Sequence, residues 1–269
     1  MTRSPSTLDA EVSFGAQSAR TIAAVGGTDG SVLVVPVGSI EQHGAHLPVA
    51  TDTLLAERVA TASAKRIVAD VPILVAPSVR PGYSPHHLPV GGTLSAGFET
   101  LLDLLRDMAE TGLDNGFDAL VFVNGHGGNT SLIDAAVSEI GREHPDREIL
   151  GLTYFELVAD LAATVRESDL GGMAHGGEFE TSMMLHLFPE LVDTDEMPAE
   201  YWDEHYEQGG ADLVVGGPLS VYRSFDEYSE SGAIGDPSVA DENTGRQLFD
   251  GAVTALSDLL TDVHEKNSE

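Results

Sequence analysis

Glu41, His43, His46 and Asp52 all fall in one short stretch, VPVGSIEQHGAHLPVATDT, running from Val35 to Thr53. Glu41 and His43 are two apart, so in an extended backbone they project to the same side. Asp52 precedes a predicted helix, whose free N–H groups favour a carboxylate as the anion. Alone, Asp52 would read as an N-cap. Capping asks for no Glu-x-His nearby, so the combination points to a site. A second cluster, NGHGGN from Asn124 to Asn129, flanks His126 with glycines that permit a sharp turn and a close approach to a ligand. It carries neither a P-loop lysine nor a GxGxxG pattern. The third cluster is AHGGEFETSMMLHLFP, from Ala174 to Pro189. His175 sits before a helix predicted to start near Gly177. Glu178 and Glu180 are separated by about 200° around that helix, so one faces the site and the other supports it. His186, among methionine and leucine, reads as core or surface.

The three clusters supply His, Glu and Asp, and the chain has no cysteine. That is the ligand set for two hard or borderline cations sharing a carboxylate, with zinc, manganese or iron as candidates. Such a pair lowers the pKa of a bound water and clamps a tetrahedral intermediate. The HExxH signature of a single-zinc protease is absent, and no GxSxG or cysteine nucleophile competes. A further stretch, YSPHHLPVGGT from Tyr83 to Thr93, offers His86 and His87 for substrate contacts, with a polar loop as the equal alternative.

Strands and helices must carry these clusters. SVLVVPVG (31–38) and DALVFVNG (118–125) are short, β-branched and end in glycine, as buried strands do. PILVAPS and REILGLTY are weaker members of the same sheet. Helices are predicted from Thr53 to Ile67, from an N-cap at Ser95 to Gly112 or Gly116, and over SLIDAAVSEIGRE. The alternation predicts an open α/β sheet with helices on both faces. In such sheets ligands bind beyond the carboxyl ends of the strands, where Glu41 and His126 fall. One domain over 1–269 is the simplest organisation, with an N-terminal extension over 1–28, an irregular excursion over 196–230 and a C-terminal amphipathic helix.

The net charge is −31, with 44 acids against 13 bases spread along the chain. At ordinary salt this surface repels itself. At about 1 M salt the Debye length shrinks to roughly 3 Å and the repulsion is screened. The composition therefore predicts a salt-adapted, halophilic, cytoplasmic protein. It disfavours nucleic acid and anionic membrane as partners. The N-terminus lacks the apolar core of a signal peptide, and no apolar run approaches the roughly 20 residues needed to span a bilayer.

GSIEQHGAHLPVATDT, VNGHGGN, HGGEFETSMMLHLFP and SGAIGDPSVADENTGRQLF together resemble the creatininase family of amidohydrolases, over nearly the whole chain from Val32 onward. The resemblance implies a three-layer α/β/α sandwich with a mostly parallel central sheet and a binuclear metal centre. It also implies hydrolysis of a C–N bond in a small molecule or short peptide, and a homo-oligomer, commonly a hexamer. Carried over by motif, Glu41 and His126 hold one metal, Asp52 bridges both and His43 holds the second. Creatininase proper has an acid two residues after the histidine of the NGH motif, where this chain has Gly128. The second metal is thereby left one carboxylate short. Glu178 is expected to replace it, with Glu180 a catalytic support that orients a ligand. His175 is expected to hydrogen-bond the intermediate or protonate the leaving nitrogen. His86, His87, Gly127, Gly128 and Asn129 are expected to contact substrate.

Gly128 argues against creatinine itself as the substrate. The HGGN form resembles two other branches. One deformylates a formylamino-pyrimidine ribonucleotide on the archaeal route to riboflavin and the deazaflavin cofactor, and the other trims the peptide precursor of mycofactocin. The salt-adapted composition leans the expectation toward the deformylase. A non-catalytic small-molecule-binding protein on the same fold would predict broken ligands, yet Glu41, His43, Asp52 and His126 are all present.

Overall fold

The two glycine-ended apolar runs form the centre of a parallel sheet, β1 (Val32–Val37) and β3 (Ala119–Asn124). They pair in register from Val32 opposite Ala119 to Val37 opposite Asn124. Every residue of both strands is buried, which requires helices on both faces. The weaker runs flank them: β2 (Ile73–Val75) beside β1, and β4 (Glu148–Thr153) beside β3, giving the order β2-β1-β3-β4. The computed structural model describes residues 8–202 and 206–268.

The helices are α1 (Ala19–Gly26), α2 (Thr51–Ile67), α3 (Phe98–Asp114), α4 (Thr130–Glu143), α5 (Ala159–Val165), α6 (Glu178–Leu187), α7 (Phe225–Tyr228) and α8 (Glu242–Asn267). Alternation along β1 sorts them into two layers. Val32 and Val34 join a core with Leu55 and Val59 of α2 and with Leu248 and Leu256 of α8. Leu33, Val35 and Val37 point the other way, into a core with Leu101 and Leu105 of α3 and with Leu132 and Ile140 of α4. Each such side chain contributes about 1.5–3 kcal/mol by leaving water. β1 therefore leads into a helix on one face, and β3 into a helix on the other. That reversal opens a crevice at the carboxyl ends of these two strands, the place where open α/β sheets bind ligands.

Two boundaries differ from the sequence expectation. Helix α2 starts at Thr51, so Asp52 lies inside the first turn instead of before it. Helix α3 starts at Phe98 with Gly97 at its N-cap. The Ser95 hydroxyl instead accepts the Ser84 N–H at 2.9 Å. Residues 1–7 of the expected extension lie outside the described residues, and the rest of it is tied to the sheet. The Val12 carbonyl accepts the Val75 N–H at 2.8 Å, and Ile22 of α1 is buried in the α3–α4 core. The excursion over 196–230 is irregular apart from α7, and its residues 203–205 lie outside the described residues. Among the described residues no helix is long and apolar enough to cross a membrane.

Candidate metal centre

The loop after β1 folds back on itself, its Glu41 N–H donating to the Val49 carbonyl at 2.9 Å. This turns Glu41 and His43 toward the first turn of α2, which carries Asp52. The turn in turn packs on the end of β3, where a Cβ at Gly125 would lie 2.6 Å from the Asp52 carbonyl oxygen. Glycine permits that approach and brings Asp52 beside His126. Asn124 brackets His126 from both sides, accepting its N–H at 3.1 Å and donating to its carbonyl at 2.7 Å. Asn129, expected to contact substrate, is not among the residues lining the cavity at the centre. It is fully buried, donating to the Gly38 carbonyl at 3.0 Å and accepting the Tyr83 N–H at 2.9 Å. Its role is to fasten the loop.

Two histidines share one logic. The Nδ1–H of His43 donates to the Glu41 carbonyl at 3.0 Å, which turns Nε2 toward Asp52 Oδ1 at 3.0 Å and Glu180 Oε1 at 3.7 Å. His126 donates from Nε2 to the Ser84 hydroxyl at 3.1 Å, leaving Nδ1 to face Glu41 Oε1 at 3.1 Å and Asp52 Oδ2 at 3.3 Å. Each ring spends its far nitrogen on the protein and aims its near nitrogen at carboxylates. Metal-bound histidines are oriented in this way.

Helix α6 corrects the expectation for its two acids. Both oxygens of Glu178 are committed away from the cluster, accepting the N–H groups of Glu167 and Ser168 at 2.9 Å each. Glu178 is therefore a buried anchor for the 167–168 backbone, and it belongs to none of the ligand groups among the described residues. Glu180 takes the place assigned to it. One oxygen accepts the Gly176 N–H at 2.6 Å and the other faces His43. The prediction that only one of the two faces the site holds, and the face is Glu180's. His46 braces this segment, with Nε2 at 2.9 Å from both the Gly176 carbonyl and the Thr181 hydroxyl.

Three trios of ligand atoms result among the described residues, Glu41–Asp52–His126, His43–His175–Glu180 and Glu41–His87–His175, each with its atoms within 4.8 Å of one another. Asp52, a member of the first, also touches His43 of the second. Both oxygens of Glu41 and Oδ2 of Asp52 are buried without a hydrogen-bond donor, although histidine nitrogens lie within ion-pair distance. Buried carboxylates left so are costly unless a cation neutralises them. The donor set fits two divalent ions.

Without a cation, protons must do that work. Burial opposes charge on His126, yet the Glu41 and Asp52 carboxylates outweigh it and raise its pKa to about 10. His43 is likewise desolvated, and Asp52 with Glu180 lifts it well above the usual imidazole value. Burial would raise Asp52, but the charges of His43 and His126 hold it below the usual carboxylate range. His87 and His175 go the other way. Burial, reinforced by neighbouring histidines, holds both well below 6.5 and therefore neutral.

A cavity of about 160 Å³ opens onto the centre, lined by His86, His87, Gly127, Gly128, Leu213 and Phe225 besides the acids and histidines already named. Phe225 of α7 roofs it, stacked on His87 with ring centroids 4.2 Å apart and edge-on to His175 at 4.8 Å. Sequence reasoning missed Phe225, Leu213, Ser84 and Gln42. The first two lie in the aperiodic excursion, and Ser84 carries no signal. Gln42 was inside the motif but bears no charge.

Gly128 is more than a missing acid. A Cβ there would lie 2.3 Å from His126 Nε2 and 2.9 Å from the His86 ring. Gly128→Ala is expected to push His126 out of alignment and weaken metal binding about 10–100-fold, the usual effect of disturbing a ligand's support. Metal titration checks this, and an unchanged affinity would show that the ring has room to yield.

The family model described as creatinine amidohydrolase matches residues 17–260. A mycofactocin precursor peptide peptidase of Mycobacterium tuberculosis (strain H37Rv) is 36% identical over 224 residues, covering 81% of this chain and 79% of the relative. A creatinine amidohydrolase of Pseudomonas putida is 34% identical over 252 residues, covering 85% and 88%. A crystal structure of creatinine amidohydrolase superposes with a TM-score of 0.80 at 28% identity, covering 94% of this chain and 98% of that one. Solved creatininases include a zinc–zinc form and a manganese form.

Proposed function

The chain belongs to the creatininase family of amidohydrolases, hydrolases of C–N bonds, and from that premise we propose that it cleaves an amide of a small or short-peptide substrate at a two-cation centre. The observation that carries this is the Glu41–Asp52–His126 trio, whose Asp52 also lies 3.0 Å from His43, the ring that Glu180 faces at 3.7 Å. Glu41, Asp52 and His126 would hold one ion and His43, Asp52 and Glu180 the other, with zinc and manganese the leading candidates.

Two such ions supply an activated water and polarise the scissile carbonyl. The chain's own residues do the rest. His175 presents Nδ1 3.6 Å from Glu41 Oε1, with its ring centroid 4.1 Å from that of His43, where Nδ1 can hold a proton in transit. His86 lines the cavity mouth, and Phe225 and Leu213 exclude bulk water, which strengthens every charge interaction inside.

The lining bears on the substrate. It contains no lysine or arginine. Among the described residues the phosphate of a formylamino-pyrimidine ribonucleotide would meet no lysine or arginine there, so we favour an uncharged amide, in keeping with relatives that act on a peptide precursor. A formamide is the second reading, because a cavity of about 160 Å³ suits the smallest acyl group. Given the charge of −31 we read the protein as salt-adapted and cytoplasmic. We also read it as a homo-oligomer, since Val49, Leu88, Val90 and Leu94 leave apolar surface near the site.

The test is an assay in molar salt with zinc or manganese, offering short peptides and N-formyl compounds in parallel. New amine without formate supports the peptide reading, and formate release supports the formamide reading. Neither product from metal-loaded protein would overturn both.

A further inference from the structure

Gln42 sits between Glu41 and His43, is nearly buried at 6% exposure, and has its polar groups committed. Its Oε1 accepts the Gly44 N–H at 3.0 Å. A backbone N–H can only donate, so this contact fixes which way the amide points. Nε2 is thereby turned onto His87 Nδ1 at 2.9 Å. An amide nitrogen is a donor, so His87 Nδ1 must be bare and its proton must sit on Nε2. That nitrogen lies 3.2 Å from Glu41 Oε1.

The backbone of Gln42 imposes a second choice. Its carbonyl accepts from His175 Nε2 at 2.6 Å. A carbonyl only accepts, so this 2.6 Å contact, much shorter than the 3.4 Å to the Gln42 amide nitrogen, puts the His175 proton on Nε2, and its bare Nδ1 faces Glu41 Oε1. The SGAIGDP stretch, which the metal centre does not use, holds this arrangement. A Cβ at Gly232 would lie 2.2 Å from Gln42 Oε1, and the Ile234 N–H donates to the His175 carbonyl at 2.7 Å.

We propose that Gln42 is a positioning residue that sets the tautomers of two site histidines, placing the His87 proton on the nitrogen that faces Glu41 and making His175 a proton acceptor toward the metal centre. Glu41, His87 and His175 also lie close enough to hold an ion. With its proton on Nε2, His87 offers that trio no lone pair, so the trio is not a third metal site. His175 meets the reacting water as a base, which reverses the acid role expected from its motif. Only this last consequence rests on the proposed amide hydrolysis.

Nitrogen-15 NMR of the full chain labelled at histidine tests the proposal, on chelated and zinc-loaded protein in high salt. The His87 and His175 signals are assigned by their loss in His87→Gln and His175→Gln. Both rings are expected to carry the proton on Nε2 in the wild type. Gln42→Glu still accepts the Gly44 N–H but sets an acceptor against His87 Nδ1. His87 is expected to move its proton to Nδ1, while His175, held by the backbone carbonyl, is unchanged. Activity should fall about 10–100-fold with metal content unaltered. A wild-type His87 protonated on Nδ1, or a folded Gln42→Glu protein with an unchanged His87, would overturn the proposal. If Gln42→Glu does not fold, the wild-type spectrum decides alone. The tautomers are read without turnover, so failure of the substrate reading would leave this result standing.

Discussion

Asp52→Asn is expected to abolish turnover and empty the metal centre while leaving the fold intact. Asp52 is the carboxylate shared by the two histidine systems, with Oδ1 at 3.0 Å from His43 Nε2 and Oδ2 at 3.3 Å from His126 Nδ1. Asparagine keeps the volume and the place in the first turn of α2 but removes the charge both ions would share. It also sets an amide donor against a histidine nitrogen. The loss in kcat should be at least the roughly 10²–10³-fold that removing a single electrostatic stabiliser costs. Circular dichroism should be unchanged, since the carboxylate's hydrogen bond goes to His43 and its other oxygen has no hydrogen-bond partner. A variant that keeps both metals and most of its activity would reduce Asp52 to a structural residue.

Removing the metal should change how stability depends on pH. In the metal-free protein His126 is raised to about 10 and His43 also lies well above 6.5, so both are cationic at neutral pH. For groups raised in this way, the stabilisation is complete below about 6.5 and is lost as pH rises through the folded values. Asp52, lowered on folding, contributes above its ordinary range near 3.8 and is lost only as pH falls through its folded value. Chelated protein should therefore lose stability from pH 7 toward pH 10.

Metal binding needs the same nitrogens bare, so it must displace those protons. Each displaced proton makes binding less favourable by about 1.4 kcal/mol per pH unit below the pKa, so binding strengthens as pH rises. The gap in Tm between loaded and chelated protein should consequently widen with pH between 6 and 9. Melting curves at fixed high salt check this. A gap that narrows would mean that the carboxylates are neutralised by something other than His43 and His126.

Much of the frame was legible because burial leaves a strong mark. β1 and β3 are continuous apolar runs, and a strand covered on both faces has no polar side to show. The ends of those strands carried Glu41, His43 and His126, so the crevice could be placed before the sheet order was known. The choice between Glu178 and Glu180 was not legible. The helical repeat says that they diverge, but the deciding partners, the N–H groups of Glu167 and Ser168, belong to a turn without pattern. The roof was hidden for a similar reason, since Phe225 lies in a segment with neither alternation nor helical repeat around it. Asn129 was read as a substrate contact because polar residues in glycine loops often face ligands. Here the loop's own backbone groups needed it more.

Metal content per chain in the wild type, Glu180→Gln and Glu178→Gln, purified and reconstituted in high salt, tests the two-cation centre most directly. The geometry predicts two ions in the wild type, about one in Glu180→Gln and two in Glu178→Gln, whose carboxylate serves only the backbone. A wild type that binds no ion after reconstitution, or a Glu178→Gln that loses an ion while Glu180→Gln keeps both, would contradict it.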